Sequence, residues 1–385
     1  MSGFEVKPAA LDAFAQTLAE HGLHATSMSF RYAIDCGNYT DQYITLTGAD
    51  GAIFSDLSTS ATTLHDQIRK VSLTLGNALD SAGYNLAVSS DAYRKTDLSV
   101  AKRHDAAYKP TGVEVELDAD VMPETPVSDP AARLTTPGTD GLVPDLVDKV
   151  LGAADWFSVG GAVIKILDLF GIDPAGWVSD KLLGDADSVA KIKNALAALS
   201  AFDAQQADNL AHALGTVRRS WNGNAAEAAS AYFTNLANAI QARSEKLLEV
   251  KSQFEGFIAL MDAFTGLISG IISDIIDLGV AIAAELASAG CLGSIPGVNV
   301  VIGIIGAVTA TRLYRRISDL ADAWSEYSGK FSNWNQALHV LVAALGDLDA
   351  TVPVPKGAYY NPTTGAKPKQ PDIFHPPAHS PTAFA

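Results

Sequence analysis

Three observations predict an all-α chain. Apolar residues recur at steps of three and four over several long stretches. No stretch of any length alternates apolar and polar residues as a half-buried strand would. The prolines are segregated: of 17, six lie between Pro110 and Pro144 and eight between Pro353 and Pro381. Proline has no backbone N–H and is expelled from helix interiors, so the dense stretches mark a linker and a tail around two regular regions. With 48% hydrophobic residues over 385 positions, packed cores are expected and wholesale disorder is excluded.

The first regular region is 1–108. Pro8 suits a helix first turn, and Leu11, Phe14 and Leu18 follow at helical spacing. This helix is expected to reach about Asp35, and Gly37, Asn38, Gly48 and Gly51 are expected to break the segment 37–51. A second helix is predicted from Ser55 or Asp56 to about Asp105, with Leu57, Leu64, Ile68, Val71, Leu75, Leu79 and Tyr84 on one face. The pair forms a long helical hairpin.

Residues 109–143 read as an acidic Pro-rich linker. The region 144–350 then opens with short helices at Asp145–Leu151, Gly160–Phe170 and Pro174–Leu182. A long helix is predicted from about Ser188 to Arg219, with Arg218 and Arg219 in a last turn that suits cations. Ser220-Trp221-Asn222-Gly223-Asn224 makes a tight turn, and Asn224 with Glu227 fits a capping box for the next helix. So short a turn folds the two helices antiparallel, which makes 187–262 a second hairpin. Apolar helices over 264–349 follow, thinned by Gly266, Gly270 and Gly279 and broken at Gly290–Gly297. The last of them is predicted over Val298–Leu348. Residues 351–385 are expected to be an extended, disordered tail.

Net charge is −16, with −5 in 109–143 and +2 in 351–385. That balance argues against nucleic acid, whose phosphates call for a basic face. The cysteines, Cys36 and Cys291, are too few for a disulfide framework or a metal knuckle. Met1–Lys7 lacks a basic stretch followed by an apolar run, so no Sec-type signal peptide is expected. Enzyme signatures are missing as well: there is no HExxH, GxSxG or phosphate-cradling glycine loop. His21 and His24 share a helix face without a third ligand, and Asp118 and Asp120 fall in the linker. No catalytic residue, cofactor or metal is assigned.

Two motifs carry more information. Gly223 lets the hairpin tip reverse, and Trp221 beside it has two readings: a staple against a neighbouring helix, or an aromatic that faces a partner. Tyr93-Arg94-Lys95-Thr96-Asp97 lies near the end of the second predicted helix, and its spacing puts Tyr93 and Asp97 on one face, a turn apart.

A helical hairpin with WxG at its tip resembles the WXG family of type VII (ESX) secretion substrates. The opening Gly3-Phe4-Glu5-Val6-Lys7-Pro8-Ala9-Ala10-Leu11, together with Ala92–Asp97, is similar to the EspC-like secretion-target family. The resemblance covers roughly 1–107 and 187–262. It implies a non-catalytic protein, cytoplasmic before export and secreted or surface-bound afterwards. It also implies that the secretion ATPase or a chaperone reads Trp221, Gly223, Tyr93 and Asp97 as a bipartite signal. A WXG-type partner or self-association would be in keeping with the family.

Each hairpin here carries only half of that signal. The expectation is therefore that the two hairpins pack as an intramolecular four-helix bundle, with the linker bringing Tyr93 and Asp97 beside Trp221. A 35-residue segment spans roughly 30 Å even as a coil.

Gly266-Leu-Ile-Ser-Gly270 matches GxxxG, a close-packing motif of membrane helices. Gly266 and Gly270 are thus candidate membrane or oligomerisation contacts. The apolar stretch 264–311 has two readings, a buried helical core or a membrane-active segment. Function is accordingly a secreted structural or interaction protein, with a membrane-active effector as the alternative.

Overall fold

The predicted stripes become nine helices among the described residues of the computed structural model, which are 5–19, 28–46, 48, 50–105, 128–139, 146–153, 159–222, 224–291 and 297–353. A two-residue strand β1 (Glu5–Val6) leads into α1 (Pro8–Ala19). α2 (Met28–Tyr43) and α3 (Ala52–Asp105) complete the first region. After a 3-10 turn at Pro130–Arg133 come α4 (Leu146–Ala153), α5 (Gly161–Leu169), α6 (Pro174–Leu182) and α7 (Ala186–Val217). β2 (Trp221–Asn222) separates α7 from α8 (Asn224–Ser288), and α9 (Val298–Asp347) closes the fold.

Three sequence expectations are corrected. α2 runs through Gly37 and Asn38 to Tyr43 instead of ending near Asp35. A mid-helix glycine costs about 1 kcal/mol. The buried stripe Tyr32, Cys36, Tyr39 outweighs that by docking α2 on its neighbours. α7 ends at Val217, so Arg218 is its cap rather than part of its last turn. α8 is one unbroken helix of 65 residues, and the glycines at 266, 270 and 279 do not interrupt it.

The two hairpins share one apolar core. It draws Leu11, Phe14, Leu64, Ile68 and Leu75 from the first region and Ile192, Leu199, Phe233, Leu236 and Ile240 from the second. α1 and α2, end to end along α3, act as one broken helix of a four-helix bundle with α3, α7 and α8. The ring of Phe14 on α1 meets Phe233 on α8 at 4.6 Å. One close approach needs glycine. The Gly51 N–H donates to the Leu183 carbonyl at 2.6 Å, and a Cβ at 51 would stand 2.7 Å from that backbone. The start of α3 could not otherwise close on the end of α6.

The described second half of the linker is laid against the bundle. Tyr39 donates to the Thr135 carbonyl (2.6 Å), Asn209 to the Ser128 carbonyl (2.7 Å) and Asn194 to the Gly138 carbonyl (2.6 Å). Burial beside Tyr43 pushes the Tyr39 phenol up, so it stays a donor.

α9 returns antiparallel along α8. Phe257 and Phe264 interleave with Tyr327, Phe331 and Trp334, and the Trp334 indole donates to the Gln253 carbonyl at 2.7 Å. Its far end lies on α3, where Ser60 donates to Asn335 (2.5 Å) and Lys70 pairs with Asp349 (3.1 Å). Beyond the bundle, α8 and α9 extend as a two-helix projection, kinked in α9 at Gly306, whose φ of 75° suits glycine.

Candidate functional site: the Tyr93–Trp221 end of the bundle

Trp221 is 4% exposed at the α7–α8 turn. Burial arises from a contact that sequence periodicity could not reveal, because β1 pairs antiparallel with β2 with Val6 opposite Trp221 and Glu5 opposite Asn222. The Ser220 carbonyl accepts from the Lys7 N–H at 2.9 Å, which pins the start of α1 to the same turn. Of the two readings of Trp221, the structure supports the staple: it clamps the N-terminal strand against the hairpin tip.

Tyr93 reaches this end from α3. The Ser90 hydroxyl donates to the Pro8 carbonyl at 2.9 Å, and Arg94 pairs with Asp12, so this part of α3 is bound to α1. Tyr93 is half-buried, and its phenol is raised by burial and partly pulled back by the Trp221 indole N–H. That N–H lies beside the hydroxyl in a geometry too loose for a well-formed hydrogen bond. The structure thus places Tyr93 and Trp221, one from each hairpin, at the same end of the bundle and in mutual contact. Asp97 lies one turn further along α3, and nothing is described of its side chain. Gly223 lies outside the described residues, as do His21, His24, Asp118 and Asp120.

Gly266 and Gly270 are on an exposed face of α8, with nothing within 4 Å of a Cβ built at either. They make no close helix contact inside this chain. Alanine at each is therefore expected to stabilise the protein by about 0.5–1 kcal/mol through helix propensity. A urea midpoint that falls instead would point to a packing role for these glycines.

A second polar feature lies in the middle of the bundle. Arg243 of α8 is fully buried and donates to both Asp203 oxygens at 2.7 and 2.9 Å. It also donates to the Tyr32 hydroxyl (2.7 Å), Ser72 (2.8 Å) and the Cys36 sulfur (3.0 Å). Tyr32 in turn donates to Asp203 at 2.7 Å. Residues from α2, α3, α7 and α8 meet at this one guanidinium. Burial pushes the Asp203 carboxyl up to about 6, against the pull of Arg243 and the Tyr32 hydrogen bond. Burial alone would lower Arg243, but Asp203 leaves it well above its ordinary value. At pH 7 the pair is ionised.

Sequence reasoning missed this hub, although a signal was present. Arg243 falls in the stripe Leu236, Ile240, 243, Leu247, and Asp203 falls in the stripe Leu196, Leu199, 203. Opposite charges occupying core positions of consecutive helices announce a buried pair.

Cys36 is buried in the hub and Cys291 follows the end of α8, and both are free. Among the described residues no group of three or more His, Cys, Asp or Glu side chains could hold a metal ion. No family model, no curated protein and no solved structure matches the chain.

Proposed function

We propose that this chain is a non-catalytic type VII secretion substrate that acts as a structural or interaction protein after export. Its export signal is split between two hairpins. The observation behind this reading is the contact of Tyr93 with Trp221, which joins a YxxxD helix end to a WxG tip drawn from distant parts of the chain. In WXG-type substrates the resemblance implies a dimeric four-helix bundle, and here the second hairpin serves as the internal partner. Trp221 works from beneath, fixing β1 and the Tyr93 side chain. Tyr93 and the α3 turn that carries Asp97 form the face offered to the secretion ATPase or a chaperone.

Immunoblotting of culture filtrate and cell pellet tests the proposal. The unaltered chain is expected in the filtrate. Tyr93→Ala is expected in the pellet at normal abundance, because a half-buried side chain is removed without opening the core. Retention of the unaltered chain inside the cell would overturn the reading, and so would normal export of Tyr93→Ala.

A further inference from the structure

We propose that the projecting end of the α8–α9 hairpin, residues 278–311, enters the surface leaflet of a bilayer, and that its ligand is an anionic phospholipid membrane. This inference is independent of the export reading.

Between Leu278 and Thr311 the sequence has a single charged residue, Glu285. An 18-residue window of mean hydropathy 1.9 in α8 is only 33% buried, and one of 1.2 in α9 is 22% buried. These segments are therefore not the core of the bundle. Val280, Val300 and Val308 are 49%, 54% and 69% exposed. On α8 the outward arc carries Val280, Ala281, Ala284 and Ala287, and on α9 it carries Val300, Gly303, Ala307 and Val308.

Each helix turns its buried stripe, Ile282 and Leu286 on α8 and Val301 and Ile305 on α9, inward. The apolar outer arcs consequently point away from one another. A second copy would cover one flank and leave the other wet, whereas lipid covers both. A segment apolar all round belongs in a core or in a membrane.

Length and charge agree. From Leu278 to Ser288 the helix spans about 15 Å, half of a hydrocarbon core roughly 30 Å thick. The chain turns back at its apex, so both helices enter and leave from one side. Where α9 leaves the apolar stretch it carries Arg312, Tyr314, Arg315 and Arg316. Arg316 is neutralised by Asp274 and Asp319, each at 2.9 Å. Arg312 and Arg315 are exposed and have no ion-pair partner among the described residues. In a chain of net charge −16, two unpaired arginines and an exposed tyrosine at the foot of an apolar projection match an anionic headgroup layer.

Cys291, at the apex, gives the test. It is partly exposed while Cys36 is buried, so an environment-sensitive fluorophore can be placed on the full chain at Cys291. With phosphatidylcholine vesicles containing phosphatidylglycerol, the emission should shift to the blue and be quenched by brominated acyl chains. Arg312→Gln with Arg315→Gln should weaken partitioning about thirty-fold, from about a ten-fold or smaller loss per basic residue. Val280→Asp with Val308→Asp should abolish it. All four positions are exposed, and circular dichroism checks that the helices persist. Equal binding to pure phosphatidylcholine would overturn the assigned ligand. An unchanged spectrum with both vesicle types would overturn the proposal. A blue shift that grows with protein concentration without lipid, alongside dimers in sedimentation, would also overturn it and show that a second copy is the occupant.

Discussion

Replacing Arg243 with methionine is expected to cost the fold about 3–5 kcal/mol, the usual penalty for leaving one member of a buried ion pair alone. Methionine fills most of the volume, so the loss reports charge and hydrogen bonding more than a cavity. With total stabilities of about 5–15 kcal/mol, this is a large share. The double change Arg243→Met, Asp203→Leu should recover much of it, because two apolar groups leave no charge stranded.

The deficit of Arg243→Met should also depend on pH. Without its cation the Asp203 carboxyl rises further above its unfolded value. A carboxyl whose folded pKa is raised destabilises the fold while ionised, and that cost fades as pH falls through the raised pKa. The deficit should therefore be smaller at pH 5 than at pH 8 (~1 kcal/mol or more per unit of additional shift). Denaturant midpoints at the two pH values measure it. A deficit independent of pH would mean that Asp203 is relieved in some other way.

Trp221→Ala is the second large effect. Truncating a buried tryptophan costs about 3–5 kcal/mol. The damage should be concentrated at one end, since Trp221 holds β1 and, through Ser220, the Lys7 amide. Hydrogen exchange at Lys7 and the first turn of α1 should accelerate more than exchange in the middle of α3. Uniform acceleration would show that the tip is not a separable unit. Tyr93→Phe keeps the ring against the indole and removes only the hydroxyl, so it should leave this exchange pattern nearly unchanged.

Much of the helical plan was legible because punctuation and periodicity agreed. Pro8, Pro174 and the Gly290–Gly297 break begin or end helices where their backbone chemistry requires, and the predicted 298–348 helix differs from α9 by one residue. The juxtaposition of Tyr93 with Trp221 was legible as well, since two half-motifs in two hairpins called for one another. Tertiary contacts account for what periodicity concealed. The ribbon of Glu5–Val6 on Trp221–Asn222 is too short for any alternation to register. Gly37 and Asn38 look like breakers until Tyr32 and Tyr39 are seen buried on either side. The linker looked wholly solvated because its docking uses backbone carbonyls, which every residue possesses.

The clamp of α9 on α3 has a consequence for how the protein is made. Ser60 meets Asn335 and Thr74 meets Asp349, contacts between residues 275 positions apart. At roughly 5–20 residues per second, about 14–55 s pass on the ribosome between the two sides of each contact. Throughout that interval the flank of α3 that will receive α9 stands bare. Pairings of such separation also fold slowly, because the chain must close a long loop before they form. Any step that needs the finished bundle therefore follows synthesis, and the newborn N-terminal half needs a temporary escort until its last helix arrives.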